Sequence, residues 1–360
     1  MKQHEVSLTM SKTSPLASNL EYWMTSLPQK LRTIPLINLA IPGSHDSMTY
    51  GITKDSEVSP DAEPILQQLK FLGPLLTTFM ERWSKTQAAT ATQQLKLGIR
   101  YFDLRIATKE NSEKFYFVHG LYSGEVGAIL DEIKAFLDTH PFEVVILDCQ
   151  HFYAFEQPHH ERFMQLLTAV FGHKLLPYMD HMDHISLQYM TNECRYQAIV
   201  VYRSDAARFG QPLLWPSGCF PTPWANTDSI PELIAFLNDT LKQRDPQMGY
   251  ISQCILTPST CFVLTHLFST LKEQCFLPLE GEKHKWLNGK IPGPGGVNII
   301  ISDFVDYEEG AFSSRGNGIL DDQLAPKPAR ASTHSSGNSR LSRQHDFCHN
   351  KKIENIARCP

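Results

Sequence analysis

Short apolar runs rich in β-branched residues recur along the chain, and stretches with helical spacing lie between several of them. The runs span residues 36–41 (LINLAI), 99–106, 115–118, 144–147, 198–202, 251–256 and 297–301. They are nearly continuous in hydrophobicity rather than alternating, which predicts strands covered on both faces, as in a parallel sheet. Val126, Ile129, Leu130, Ile133, Phe136 and Leu137 form a helical stripe that His140-Pro141 ends. Ser229-Ile230-Pro231-Glu232 has the form of a capping box with proline in the first turn, and Leu233, Ile234, Leu237 and Leu241 extend its stripe. Alternating β and α units predict one α/β chain folded as a (β/α)8 barrel rather than two domains. One strand is poorly marked and is placed within residues 213–224; no internal repeat is visible.

The pattern changes near Gly310. From Ser313 the chain is rich in Ser, Arg, Pro, Asn and His and loses apolar periodicity. The expected organisation is an N-terminal segment over residues 1–20, a barrel domain over 21–310 and a disordered polar tail over 311–360.

Composition narrows the function. The chain has 360 residues, 42% of them hydrophobic, and a formal charge of −5 without a dense Lys/Arg stripe before the tail, so no nucleic-acid partner is expected. Residues 1–11 lack the apolar core of a signal peptide. No stretch approaches the roughly 18 apolar residues of a transmembrane segment. The eight cysteines form no C-x-x-C pair and read as buried thiols of a reducing compartment. A cytoplasmic protein with transient membrane-surface association is the expectation if the substrate is a lipid.

Polar clusters sit at the predicted strand ends: Pro42-Gly43-Ser44-His45-Asp46-Ser47 after the first, Arg100, Asp103 and Arg105 on the second, His119-Gly120 ending the third, and Ser302-Asp303 ending the last. A parallel barrel gathers strand C-termini on one face, so these distant residues would share a pocket. Their types suit phosphodiester chemistry. A guanidinium fork matches the non-bridging oxygens, two histidines titrating near neutrality can divide base and acid roles, and a carboxylate can orient the base. Taken singly, each has a plainer reading: a hydrogen-bonded histidine, or Asp103 and Arg105 as an interior ion pair.

IPGSHDSMTY, GIRYFDLRI, FVHGLY and EVVILDCQHFY, in this order, resemble the X region of phosphatidylinositol-specific phospholipases C. LEYWMTSLP, RWSKTQ and PWANT narrow the resemblance to the small X-domain-containing members, over residues 20–306. The resemblance implies a distorted TIM barrel and cleavage of inositol phosphodiesters to diacylglycerol and inositol cyclic phosphate. It implies His45 as general base toward the inositol 2-hydroxyl, His119 as general acid toward the leaving oxygen, and Arg105 as the charge stabiliser. Asp46 would bridge the hydroxyl and Arg105, and Asp303 would hold the His45 ring. Asp103, Gln150, Arg203, Asp205 and Trp224 are the substrate-binding candidates, with Tyr202 as another stacking platform.

No metal and no other cofactor are expected, because Arg105 and Gln150 stand where Ca²⁺-dependent relatives carry acids. His159, His160, His181 and His184 read as solvated surface rather than zinc ligands. A bell-shaped pH–rate profile around neutrality follows from the two-histidine assignment. The chain departs from the resemblance at residues 305–310, where the final barrel helix would be missing or replaced. That departure keeps open a second reading, a catalytically weak or inactive phosphoinositide-binding module. A glycerophosphodiester or sphingomyelin phosphodiesterase would need further acidic metal ligands, which the motifs do not offer.

Overall fold

On the strand β2 (Tyr101–Thr108), Phe102, Leu104 and Ile106 are fully buried in the main hydrophobic core, while Tyr101, Asp103 and Arg105 take the opposite face by the two-residue pleat. The structure is a computed structural model and describes residues 19–307. Parallel pairing runs β6 (Ala198–Tyr202), β5 (Val145–Tyr153), β2, β1 (Ile41–Ser44), β8 (Ile299–Ser302), β7 (Ile251–Gln253).

Between β6 and β7 the ring is completed by the weakly marked segment. Trp215 N donates to Val200 O (2.8 Å) and Tyr202 N to Trp215 O (3.0 Å) on one side; Gly249 N donates to Cys219 O (2.9 Å) and Ile251 N to Pro221 O (3.0 Å) on the other. Pro216, Pro221 and Pro223 lack backbone donors, so this stretch bonds at its ends without becoming a regular strand. The architecture is a distorted (β/α)8 TIM barrel.

Three local expectations change. The run at 115–118 is not a parallel barrel strand: β3 (Phe115–His119) pairs antiparallel with β2, Ile106 opposite Phe117. Only residues 109–114 separate the two strands, too few for a parallel crossover, which takes about a dozen or more. A further strand, β4 (Leu121–Glu125), continues the hairpin; its half-exposed LYSGE sequence carries no strong apolar signal. The LINLAI run is mostly a single 3-10 turn, Leu36–Asn38, and β1 starts at Ile41. The helix Ile230–Lys242 forms, but Ser229 makes no side-chain cap; Thr227 Oγ1 donates to the Glu232 carboxylate (2.6 Å) and accepts from Ser229 N (3.1 Å) instead.

Gly43 shows why β1 needs a glycine. A Cβ there would sit 2.8 Å from the Tyr101 ring and 2.9 Å from Ile301 Cγ2, so β1 fits between β2 and β8 only without a side chain. The LEYWMTSLP segment closes the opposite end of the barrel. Trp23 is fully buried and donates from Nε1 to Gly98 O (2.9 Å), and Arg100 Nη2 donates to Glu21 O (2.7 Å). The N-terminal segment before residue 19, the expected polar tail and the place where the final barrel helix was expected to be missing or replaced lie outside the described residues.

Candidate active site

The turn after β1 carries His45 and Asp46. His45 N donates to Ser302 O (3.1 Å) and Ser47 N to Asp103 O (2.9 Å), so β8 and β2 hold it from both sides. Ser44 Oγ and Ser47 Oγ are hydrogen-bonded at 2.6 Å across the turn. Asp46 has φ 40°, and Phe304, just after Asp303, has φ 43°. Such left-handed backbone at non-glycine residues persists where surrounding bonds enforce it. Thr86 and Gln87 supply those bonds. Gln87 Nε2 donates to His45 O and Ser302 O (both 2.9 Å), its Oε1 accepts from Val305 N (3.1 Å), and Thr86 O accepts from Phe304 N (2.7 Å).

These bonds bring the five expected catalytic side chains together. His45 Nδ1 lies 2.7 Å from Asp303 Oδ1, which leaves Nε2 facing the pocket. That Nε2 is 3.0 Å from Arg105 Nη2 and 3.5 Å from Asp46 Oδ2. Arg105 Nε pairs with Asp46 Oδ1, and its Nη2 is 3.4 Å from Asp103 Oδ2. His119 reaches the group from the antiparallel hairpin: Nε2 lies 3.3 Å from Asp46 Oδ2, while Nδ1 faces Ser84 O at 2.7 Å. The Ser84 carbonyl can only accept, so His119 Nδ1 carries a proton. Gly120, at φ 69°, turns the chain directly after it, and its N donates to Asp61 Oδ2 (2.7 Å).

Burial disfavours the charged His45 ring, but Asp46 and Asp303 outweigh it and Arg105 offsets them only in part, so its pKa rises from 6.5 to about 9. The 3.0 Å contact from Arg105 fits a neutral Nε2 accepting an N–H. Burial also disfavours the Arg105 cation; Asp46 and Asp103 more than compensate and hold it charged. Burial raises Asp103, yet Arg105 and His45 bring it below the usual carboxylate range. Asp103 Oδ1 is buried without a hydrogen-bond partner, and the Asp46 oxygens meet only the side chains of Arg105, His45 and His119. Groups left in this condition are costly to the fold and are poised for a ligand.

The substrate-binding candidates divide. Asp103 joins the histidine cluster. Gln150 and Arg203 meet at Asp148, which sequence reasoning missed. Arg203 Nε and Nη2 hold its two oxygens at 2.8 and 2.7 Å, Tyr101 OH donates to Oδ2 (2.7 Å), and Gln150 Nε2 lies 3.3 Å from the same oxygen. Burial raises the Asp148 pKa, and Arg203 opposes the shift. The DCQ motif and the tyrosine two residues before Asp103 were the available signals. Asp205 faces Arg208 Nε (3.0 Å) and Ser217 Oγ (2.7 Å) instead. Trp224 is exposed at the rim and donates to Thr257 Oγ1 (2.9 Å). Tyr202 OH is 2.7 Å from His160 Nδ1, which makes that residue a packing partner rather than a platform.

Among the described residues, the cluster with metal-ligand geometry is His45, Asp46 and Asp103, all buried. The Arg105 guanidinium contacts each of them, so a cation of the protein's own already stands against those ligand atoms. The other histidines differ from the solvated expectation in part. His159 Nδ1 accepts from Glu156 N (3.0 Å) at a helix start and His160 is half-buried on Tyr202; His181 and His184 are exposed.

Two histidines, an arginine and three carboxylates thus meet at the strand ends of a distorted TIM barrel, a fold similar to that of bacterial phosphatidylinositol-specific phospholipases C. The phospholipase C from Listeria monocytogenes superposes with a TM-score of 0.56 at 17% identity, covering 83% of this chain and 98% of that one. The Staphylococcus aureus enzyme superposes at 0.59 and 16%, covering 84% and 98%. No protein-family model matches the chain. PI-PLC X domain-containing protein 3 of Danio rerio is 41% identical over 298 residues, 81% of this chain and 92% of that protein. The human protein 3 is 40% identical over 288 residues (79% and 89%), and mouse PI-PLC X domain-containing protein 2 is 39% identical over 321 (88% and 93%). The chain belongs to the family of PI-PLC X domain-containing proteins. Among the described residues no helix is long and apolar enough to cross a membrane.

Proposed function

We propose that the protein is a phosphatidylinositol-specific phospholipase C that acts from the cytoplasm at membrane surfaces, without Ca²⁺ or another cofactor. The observation that carries the reading is the pair of imidazoles on one carboxylate, with His45 Nε2 and His119 Nε2 at 3.5 and 3.3 Å from Asp46 Oδ2 and Arg105 beside them.

In the proposed first step His45 Nε2 takes the proton of the inositol 2-hydroxyl as that oxygen bonds to phosphorus. The bond from phosphorus to the glycerol oxygen breaks, and His119 Nε2 gives its proton to the departing oxygen. The products are diacylglycerol and inositol 1,2-cyclic phosphate. Asp303 holds the His45 tautomer that exposes Nε2, as a carboxylate does for a catalytic imidazole. With Nδ1 already protonated against the Ser84 carbonyl, His119 serves as acid in its imidazolium form, giving up the second proton from Nε2 and returning to the neutral ring. Arg105 neutralises the phosphorane oxygens, a form of stabilisation in which loss of one donor typically costs about 10²–10³ in rate. Asp46 accepts from the attacking hydroxyl while paired with Arg105. The metal-free reading is supported by Arg105 itself, whose fixed positive charge among His45, Asp46 and Asp103 disfavours a second cation there. The Asp148–Arg203–Gln150 group offers polar atoms for the inositol hydroxyls.

Labelled phosphatidylinositol incubated with the protein in EDTA tests this reading. Cyclic inositol phosphate should form, and its formation should vanish in His45→Ala. Binding of the lipid without turnover would instead identify a phosphoinositide-binding module, and turnover restored only by Ca²⁺ would overturn the role given to Arg105.

A further inference from the structure

A cavity of about 410 Å³ opens beside His119 and is separate from the Asp148 group. Ser84, His119 and Gly120 form its polar end together with Asp61. From there it runs between two walls. One comes from the β1–β2 connection, with Leu66, Leu69, Phe79 and Trp83; the other comes from the β7–β8 connection, with Val263 and Leu271. Gln150, Arg203 and Asp148, on the β5 and β6 side, take no part in its lining. Its size falls within the roughly 300–1,000 Å³ of small-ligand sites.

Both walls carry exposed apolar side chains at the cavity, Ile65 (51% exposed) on the first and Leu264 (57%) on the second. Exposed apolar residues are ordinary when scattered; grouped on both edges of one apolar groove, they mark a binding region. Thr260 Oγ1 donates to the Glu63 carboxylate (3.1 Å), tying the two walls together.

We propose that this groove is the subsite for the acyl chains of the leaving diacylglycerol. The assignment rests on the phospholipase reading, because it is His119, as acid toward the leaving oxygen, that identifies the groove as the leaving-group side. An oxygen accepting the proton of His119 Nε2 has its carbon chain next to the imidazole. The groove that touches that same imidazole is walled mostly by hydrocarbon, with Glu63, Thr257 and Thr260 as its other polar residues, which suits an acyl chain better than a polyol. Its open edge presents more hydrocarbon, so a chain can pass into it from a bilayer.

The test uses monomeric dihexanoyl-phosphatidylinositol, below its aggregation threshold, against deacylated glycerophosphoinositol. Both are titrated by calorimetry onto full-length His45→Ala, so that turnover does not enter the measurement. The lipid should bind at least tenfold more tightly, since each buried methylene contributes close to fourfold in affinity. Leu66→Trp and Val263→Trp, which narrow the groove from opposite walls, should each collapse that ratio toward unity. Equal affinity for the two ligands, or a ratio that survives both substitutions, overturns the subsite. Failure of the wild type to turn over phosphatidylinositol would overturn the catalytic reading while leaving this affinity ratio as an independent result.

Discussion

Arg100 and Arg105 stand five residues apart at one strand of the barrel, each bound to carboxylates, and they do opposite things. Arg100 is wholly buried. Its Nε and Nη2 hold Glu143 Oε2 at 3.0 and 2.8 Å, and Nη1 donates to the carbonyls of Leu95 and Ile99. The other Glu143 oxygen accepts from Thr25 N and Oγ1 (2.7 and 2.6 Å). That pair is saturated and closes the base of the barrel. Arg105 sits at the mouth with part of its side chain open to solvent, beside Asp103, whose Oδ1 is buried without a hydrogen-bond partner. A saturated buried pair has nothing left to offer a ligand; an unsaturated one at the rim does.

The largest expected effect separates the two arginines. Arg105→Ala should cut phosphatidylinositol turnover by about 10²–10³ and lower the unfolding midpoint less than Arg100→Met does, because Asp46 keeps His45 and His119 beside it. Arg100→Met should leave turnover per folded molecule near wild type and cost about 3–5 kcal/mol of stability, because Glu143 is left buried and unpaired. Arg100→Met combined with Glu143→Leu should regain much of that loss. Comparable destabilisation by both single substitutions, with turnover intact in Arg105→Ala, would erase the distinction.

Next in size is the pH response. The carboxylates around His45 raise its pKa to about 9, and turnover needs His45 neutral while His119 is protonated, so the kcat/KM profile should be a bell with one limb near pH 9. Asp303→Asn removes one of the raising interactions; the limb near pH 9 should move to lower pH even though the rate falls. Stability runs the other way. A folded pKa above the unfolded 6.5 means that charged His45 stabilises the fold fully below pH 6.5, and this is lost as pH passes through about 9. The unfolding midpoints of wild type and His45→Gln should therefore differ most in acid and converge above pH 9. A pH-independent difference would show that the carboxylates do not hold the ring in its charged form. The smallest effect is expected at Asp205. Its bonds to Arg208 and Ser217 keep it outside the polar groups at the mouth, so Asp205→Asn should change kcat/KM less than about twofold, within the usual range for surface substitutions.

Much of the fold could be read from the apolar runs, because strands buried on both faces leave continuous hydrophobic signatures; residues 198–202 form β6 as expected. The hairpin β3–β4 could not, since pairing direction depends on the length of the 109–114 connection rather than on its apolar content. The grouping of His45, Asp46, Arg105, His119 and Asp303 was legible from strand ends and from resemblance. The different duties of Arg100 and Arg105 were not, because GIRYFDLRI gives no sign of which carboxylate each will meet. Asp148 was overlooked since an acid inside an apolar run shows its purpose only when Arg203 arrives from the next strand. Gln87 was quoted only as part of a motif, and its bridge between His45 and Ser302 depends on three separate connections meeting.

That bridge, and the 258-residue separation of His45 from Asp303, bear on when the protein can become competent during its synthesis. His45 emerges early, but Asp303, which holds its ring, and the Ser302 carbonyl that Gln87 grips arrive only with the final strand. A nascent chain still short of Ser302 would hold most of its barrel and both imidazoles, yet lack the clasp that orients the first of them.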